Sequence, residues 1–279
     1  LLLRAYGRWT GLDQQIKRGE YRLPAPLTAR QLLQVLVDGN VISYQVTLPE
    51  GITLQQALAM LSKAEALENE LQGIADERLR ALAGDRPSAE GLFLPESHRY
   101  ERGDSDWDIL QRAHAALNRV LAQAWQQRAE NLPYESPYEA LIMASIIERE
   151  TGVPEERREI AGVFVRRLQR RMRLQTDPTI IYGLGDTFDG NLRRVHLNDP
   201  NNIYNTYRHH GLPPTPIALP GKAAIEAALN PAGGDSLFFV ARGDGSHTFS
   251  SNLADHERAV RQYQLQRRAD YRSSPGGDQ

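Results

Sequence analysis

Two glutamates near the end of one predicted helix are the side chains whose type and position best suit acid–base chemistry. At ~100° per residue, Glu150 points within roughly 10° of the centre of an apolar helix face, and Glu148 points to the opposite side. That face is formed by Ile142, Met143, Ile146 and Ile147. Burial raises the pKa of a carboxyl, so that it can hold a proton near neutral pH and deliver it as a general acid. The sequence therefore predicts Glu150, and not Glu148, as a catalytic acid.

The helix that carries Glu150 has clear start and stop signals. Ser136 and Glu139 form a predicted capping box with Pro137 at the first helical position, and Gly152 ends the helix. Glu150 then lies in the last turn, where the helix dipole raises the pKa of a carboxyl further. The alternative to catalysis is a structural role, since glutamates at helix ends often extend their carboxylate into solvent or pair with a buried arginine.

The composition is that of a globular protein with one large domain or two smaller ones. Its 279 residues are 41% hydrophobic, and 33 Lys and Arg against 35 Asp and Glu give a net charge of -2. This balance gives no reason to expect a nucleic-acid partner. The absence of cysteine excludes disulfides and thiolate ligands, and we predict no metal and no cofactor.

The patterns predict an α+β fold. A small α+β module spans residues 20–61, a polar helical stretch continues to Ala83, and the turn-forming residues 84–88 mark a domain boundary. The predicted strands are 20–23, 41–48, 236–241 and 248–249, and the predicted helices are 28–37, 53–61, 106–129, 136–150, 154–172, 221–229 and one from 253.

Three further segments have a simple interpretation. Arg166, Arg167, Arg170 and Arg171 are predicted to be a solvated helix end that complements the dipole; a phosphate or nucleic-acid site is the alternative. Residues 273–279 are typical of a disordered tail. No stretch reaches the ~20 apolar residues of a membrane span, but Leu1-Leu2-Leu3 are expected to be the end of an apolar segment. A trimmed signal region or an arbitrary boundary are the alternatives.

Several ordered motifs resemble those of one family. They are Gly19-Glu20-Tyr21, Leu48-Pro49-Glu50-Gly51, Glu90-Gly91-Leu92-Phe93-Leu94-Pro95-Glu96, Ala144 to Thr151, Leu174 to Thr179 with Tyr182-Gly183, Tyr204 to Tyr207, Gly211 to Pro214, and His247-Thr248-Phe249. Together they resemble the endolytic murein transglycosylases of the YceG/MltG-like family over nearly the whole chain. The chain departs from the family at Glu96, Ser97 and His98, where Asp, Thr and often Tyr are usual.

The resemblance implies a bacterial inner-membrane protein with one N-terminal membrane helix and its body in the periplasm. It also implies a LysM-like subdomain over residues 1–88 and a catalytic domain over residues 89–279. The implied partners are glycan strands of peptidoglycan, with peptidoglycan synthases as further candidates. In the family the catalytic acid is the second glutamate of Glu-x-Glu-Thr, which is Glu150 here.

The implied reaction is lytic cleavage of a MurNAc–GlcNAc β-1,4 bond within a glycan strand. Glu150 would protonate the leaving oxygen and then accept the proton of the MurNAc 6-hydroxyl, which gives a 1,6-anhydro end without a second carboxylate. Two alternatives stay open: a two-carboxylate hydrolase with Asp177 as the partner of Glu150, and an inactive peptidoglycan-binding scaffold.

The polar loops supply the candidate substrate-binding residues. Gln175, Thr176, Asn205 and Tyr207 suit sugar hydroxyls and acetamides, although each could brace its own loop instead. For Asp177 we expect a supporting role at the substrate, with a turn before Pro178 as the alternative. His247 could contact the cleft, and a structural role is the alternative.

Overall fold

The structure is a computed structural model that describes residues 2–24 and 26–265. Its helices are α1 Leu2–Thr10, α2 Ala29–Asp38, α3 Leu54–Leu61, α4 Glu77–Ala83, α5 Asp106–Gln126, α6 Pro137–Glu150, α7 Arg157–Gln169, α8 Asp177–Leu184, α9 Arg194–Asn198, α10 Lys222–Leu229 and α11 Leu253–Val260. Its strands are β1 Ser43–Thr47, β2 Ser97–Glu101, β3 Phe238–Ala241 and β4 His247–Ser250. The α+β class predicted from the sequence is confirmed.

The strands form two small antiparallel sheets. Ser43 of β1 lies opposite Glu101 of β2, and Phe238 of β3 lies opposite Ser250 of β4. The predicted strand 20–23 is wrong, because within it Tyr21 alone forms a bridge, to Val41. The predicted strands at 41–48, 236–241 and 248–249 correspond to β1, β3 and β4 within a few residues.

The chain forms two compact units, each built from several segments. The described residues of the first lie within Leu1–Leu48, Gln55–Gly73 and Ser97–Arg112, and those of the second within Pro49–Leu54, Ile74–Glu96 and Ala113–Gln279. The chain therefore passes between the units more than once. The predicted division at residue 88 into LysM-like and catalytic domains stays a prediction, because compactness assigns no function to either unit.

The first unit has its core beside the β1–β2 sheet. Leu33, Leu61 and Ile109 are at most 3% exposed, as is Tyr100 on β2. The Tyr100 ring stacks on Tyr44 of β1 with 5.7 Å between centroids. The Tyr100 hydroxyl donates to the carbonyl of Glu65 at 2.7 Å, which satisfies the polar end of a buried ring.

The second unit is built around α6, which packs against α7, α8 and α10. Every residue from Ala140 to Ile147 is buried, so the helix is enclosed on all sides. Ser136 starts it by accepting the Glu139 backbone N–H, with Pro137 at the first position as predicted. The second bond of the predicted capping box differs, because the Glu139 carboxylate accepts the N–H of Glu135.

Most helix predictions are confirmed within a few residues, and three are corrected. Residues 154–172 divide into a short 3-10 helix at Pro154–Glu156 and α7, which ends at Gln169. Of the polar stretch between residue 61 and Ala83, which was predicted to be helical, only the α4 residues form an α-helix. Asp177, predicted in a loop, is the first residue of α8.

The arginine run is not a solvated helix end, so that prediction is wrong for its first two members. Arg167 is 7% exposed and donates to the carbonyls of Leu237 and Leu174 at 2.6 and 2.8 Å. Arg166 donates to the carbonyls of Ser236 and Ala232 at 2.8 and 3.0 Å. Both side chains tie α7 to the chain around β3.

Two predictions concern the ends of the chain. The predicted disordered tail, residues 273–279, lies outside the described residues. Within residues 2–24 and 26–265, no helix combines the length and apolar character that a membrane crossing requires.

Candidate active site

Glu150 is the last residue of α6, and Thr151 follows it as the C-cap. The carboxyl is therefore at the negative end of the helix dipole, as the sequence predicts. The prediction that Glu150 occupies a single apolar face needs correction, since α6 is buried all round and both Glu148 and Glu150 have desolvated carboxyl groups. Their different partners, and not burial alone, distinguish the two glutamates.

Glu148 is held by charged and backbone partners. Its side chain is 5% exposed, lies 3.5 Å from the guanidinium of Arg157, and accepts the Gly221 backbone N–H at 2.9 Å. Burial raises the pKa of Glu148, while the Gly221 N–H and Arg157 oppose that rise. These contacts connect α6 to α10 and to the start of α7, which is a structural role.

Glu150 is partly buried and has a hydroxyl as its partner. The Thr176 Oγ1 donates to the Glu150 Oε1. Burial raises the pKa of Glu150 from 4.5 to about 7; the Thr176 bond lowers it, the negative charge of Asp177 raises it, and Arg167 and Arg149 lower it. At neutral pH the carboxyl is thus divided between its protonated and ionised forms, which suits a group that gives and takes a proton.

Thr176 reaches Glu150 from the start of α8. It is 2% exposed and occupies the N-cap position, but its side chain makes no capping bond. Threonine at an N-cap usually bonds the helix backbone, and that bond is worth about 1 kcal/mol. Here the hydroxyl bonds Glu150 instead, and the Thr179 hydroxyl donates to the Thr176 carbonyl at 2.8 Å.

Asp177 and Tyr207 form a second polar contact beside the glutamate. The Tyr207 hydroxyl donates to the Asp177 Oδ1 at 2.7 Å. Asp177 is exposed, whereas Tyr207 is half-buried, and burial followed by the Asp177 charge raises the pKa of Tyr207. This bond joins the first residue of α8 to the loop after Asn205.

Gln175 precedes Thr176 in a left-handed conformation with φ of 54°. Its Oε1 accepts from the Arg167 guanidinium at 3.3 Å, and its backbone N–H donates to the Thr206 carbonyl at 3.2 Å. Arg167 also holds the two preceding carbonyls, so a buried cation fixes the chain that enters α8. A non-glycine residue at positive φ persists where its surroundings enforce it.

Asn205 makes the contacts of a loop brace, which is the alternative that the sequence left open. It is 0% exposed, and its Nδ2 donates to the carbonyls of His196, Leu197 and Asp199 at 3.1, 3.2 and 2.8 Å. Its Oδ1 accepts the Tyr207 N–H at 3.0 Å. These bonds occupy both ends of the amide and hold the loop that carries Tyr207.

His247 is also in structural contacts. It is 6% exposed, and its Nδ1 lies 2.7 Å from the Glu156 carboxylate, which also accepts the His247 backbone N–H at 2.8 Å. These bonds tie β4 to the 3-10 helix before α7.

Arg167 and Glu90 are charged residues whose burial the sequence analysis did not predict. Arg167 lies at helical spacing from Ile160, Val163 and Phe164, so its buried register could have been found from periodicity. Glu90, quoted only within a motif, is 5% exposed; it accepts the Leu54 N–H at 2.9 Å and the Tyr182 hydroxyl at 3.2 Å. Burial raises the pKa of Glu90 to about 7.

The described residues around Glu150 include no metal-binding cluster, and a cavity found elsewhere in the second unit is separate from them. Among the described residues, no group of three or more His, Asp or Glu is arranged to hold a metal ion. A cavity of about 530 Å³ is lined by residues of α5, α7 and α10, including Arg157 and Lys222, and Glu150 is not part of its lining.

The second unit thus places a carboxyl with a pKa of about 7 at the end of an enclosed helix, bonded to a threonine of the neighbouring helix, an arrangement that suits general acid–base chemistry. The chain belongs to the YceG-like family, whose model matches residues 1–262. The family resemblance predicted from the motifs is therefore confirmed.

Individual relatives support the same assignment. The chain is 30% identical over 265 residues to the endolytic murein transglycosylase of Bacillus subtilis (strain 168), which covers 88% of this chain and 72% of that protein. It is 28% identical over 282 residues to the endolytic murein transglycosylase of Streptococcus pneumoniae serotype 2, and it spans about half, 51%, of that relative. A crystal structure of a YceG-like protein from Listeria monocytogenes superimposes with a TM-score of 0.64 at 26% identity, covering 92% of this chain and 88% of that one.

Proposed function

We propose that this protein is an endolytic peptidoglycan lytic transglycosylase that cuts the MurNAc–GlcNAc β-1,4 bond within glycan strands and leaves 1,6-anhydroMurNAc ends. Family membership and the names of two curated relatives support the substrate and the reaction. The single observation that carries the mechanism is the Glu150 carboxyl, whose pKa burial raises to about 7.

The proposed reaction uses one carboxyl twice. Protonated Glu150 gives its proton to the GlcNAc O4 as the bond from that oxygen to the MurNAc anomeric carbon breaks. The Glu150 carboxylate then accepts the proton of the MurNAc 6-hydroxyl while that oxygen bonds the anomeric carbon. One bond is broken, one is formed, the proton returns to Glu150, and no water is consumed.

Thr176 and Asp177 suit this cycle by opposite effects on the same carboxyl. The Thr176 hydroxyl stabilises the ionised form, and the Asp177 charge stabilises the protonated form. Glu150 must act first as an acid and then as a base. A pKa close to the working pH, as the opposing effects of Thr176 and Asp177 allow, serves both steps.

Exposed and half-buried polar groups beside Glu150 are the proposed sugar contacts. Gln175 and Asp177 are exposed, and Tyr207 presents a half-buried ring with its hydroxyl on Asp177. We assign Asn205 to the support of this surface because its amide is occupied by its own loop. For the first unit we propose LysM-like glycan binding. The antiparallel pair β1 and β2, with α3 and α4 between them along the chain, supports this proposal.

The proposed location is the periplasmic side of the inner membrane, with one N-terminal anchor and with peptidoglycan synthases as partners. The supporting argument is that the murein named for the relatives lies outside the cytoplasm. Protease added to spheroplasts of cells that express the natural protein should digest this region. Protection from protease until the membrane is lysed would contradict the proposal.

Digestion of isolated glycan strands in H2¹⁸O distinguishes the proposed lyase from its two rivals. A lytic transglycosylase yields anhydro ends, lighter by one water than reducing ends and free of ¹⁸O. A two-carboxylate hydrolase that uses Asp177 yields reducing ends that carry ¹⁸O, and an inactive scaffold yields no new ends. Mass spectrometry of the products distinguishes these three outcomes. Reducing ends that carry ¹⁸O, or no new ends, would refute the proposal.

A further inference from the structure

Three buried threonines form a hydrogen-bonded cluster, and one of them, Thr176, bonds Glu150. Thr176, Thr179 and Thr206 are 2%, 0% and 2% exposed. The Thr206 Oγ1 accepts the Thr176 backbone N–H at 3.1 Å and lies 3.0 Å from the Thr179 Oγ1. The Thr176 carbonyl accepts from the Thr179 hydroxyl at 2.8 Å, so both backbone polar groups of Thr176 are held by threonine side chains.

In each arrangement of hydrogens that these contacts allow, the threonines hold the Thr176 backbone. Each hydroxyl has one hydrogen to donate. When Thr179 donates to the Thr176 carbonyl, the Thr206 hydroxyl is the donor in its contact with Thr179; when Thr206 donates to that carbonyl, at 3.4 Å, Thr179 can donate to Thr206. Thr206 then accepts the Thr176 N–H with a free lone pair. The hydroxyl of Thr176 itself is left to donate to Glu150.

The Thr176 side chain makes no capping bond to α8, although Thr176 occupies the N-cap position. Thr176 is of a residue type that usually caps a helix with its own side chain, but α8 receives no side-chain cap from it. Thr206 and Thr179 hold the Thr176 backbone in the N-cap position, and this frees the Thr176 hydroxyl to reach across to α6.

We propose that Thr206 and Thr179 are positioning residues that hold Thr176 so that its hydroxyl donates to the proton-transferring carboxyl of Glu150. They act through Thr176 and do not touch the sugar. This inference rests on the proposed function for its catalytic meaning, but the effect on the Glu150 carboxyl can be measured without any substrate.

The test is an NMR titration of the Glu150 side chain. Glutamate labelled with ¹³C at the carboxyl reports each group during titration, and the Glu150 signal is the one that Glu150→Gln removes. Thr176→Val should raise the midpoint by about one pH unit, because a hydroxyl bond that favours the ionised carboxyl is lost. Thr206→Val and Thr179→Val should raise it in the same direction by up to that amount, and Thr206→Ser should restore the wild-type value.

Thr215→Val is the matched control. Thr215 is also 0% exposed in the same unit, and its hydroxyl donates to the Pro216 carbonyl at 2.8 Å instead of to the threonine cluster. The control should lose thermal stability without moving the Glu150 midpoint. Unmoved midpoints in Thr206→Val and Thr179→Val, or an equal shift in Thr215→Val, would overturn the proposal.

Kinetics separate this inference from the proposed function. Thr206→Val should lower kcat for glycan cleavage with little change in KM, and Thr206→Ser should recover it. Equal losses of kcat in both variants would contradict positioning by the hydroxyl. A wild-type protein that cuts no glycan refutes the transglycosylase activity, whereas the NMR titration still decides the role of the threonines.

Discussion

Glu150→Gln should make the folded protein more stable at alkaline pH. Burial raises the pKa of this carboxyl from 4.5 to about 7, so the folded protein binds the proton more tightly than the unfolded chain does. The resulting stabilisation is complete below pH 4.5 and is lost as the pH rises through about 7. Over the whole range the raised pKa corresponds to about 3 kcal/mol of unfolding free energy.

The difference between wild type and Glu150→Gln isolates this effect. Glu90 also has a pKa raised to about 7, but it titrates in both proteins and cancels. Urea unfolding followed by circular dichroism should show the variant gaining about 2 to 3 kcal/mol over wild type between pH 5 and pH 9. Glu130→Gln, at an exposed position, measures the effect of the same exchange without burial. A pH-independent difference for Glu150→Gln would refute the desolvated carboxyl.

The remaining predictions concern activity and the structural support of the site. Glycan cleavage by the wild type should fall about tenfold per pH unit above pH 7, since protonated Glu150 is lost there. Asp177→Asn should move that decline to lower pH, because it removes a charge that raises the Glu150 pKa. Cleavage rates measured from pH 5 to 9 test both predictions. Asn205→Ala should lower the unfolding free energy by about 2 to 3 kcal/mol, because the partly buried carbonyls of His196, Leu197 and Asp199 lose their donor. An unchanged denaturation midpoint would contradict this structural role of Asn205. Gly91→Ala should destabilise the fold by more than about 1 kcal/mol, since φ is 77° and an added Cβ would lie 2.3 Å from the Pro216 Cβ; thermal unfolding measures it.

Local sequence signals predicted the helix that carries Glu150 and many other elements. Ser136 and Pro137 mark the start of α6. Thr28 with Gln31 caps the start of α2, and Gly39 follows its last residue as the C-cap in a left-handed conformation. These signals act over a few residues, so the sequence contains them directly. The strand predicted at 20–23 failed because a short extended segment needs a partner strand, and pairing is set by the rest of the fold.

The place of Glu150 in its helix was predictable from the sequence, whereas the contacts around it were not; its role as an acid stays a prediction. The position of Glu150 at the end of α6 follows from helix geometry, whereas its bond to Thr176 joins residues 26 positions apart. The sequence indicated a solvated role for Arg167 because charge order at a helix end suggested it, but the carbonyls of Leu174 and Leu237 make a buried arginine stable there. Long-range partners of this kind are decided by tertiary packing.

The most direct test of the account compares the wild type with Glu150→Gln and Glu148→Gln on isolated glycan strands. Mass spectrometry should find anhydro ends from the wild type and at least about a hundredfold fewer from Glu150→Gln, because an amide cannot deliver the proton. Glu148→Gln should keep most of the activity, since Glu148 bonds Gly221 and Arg157 and not Thr176. Equal loss of anhydro ends in both folded variants, or undiminished cleavage by Glu150→Gln, would contradict the assignment of Glu150 as the proton-transferring group.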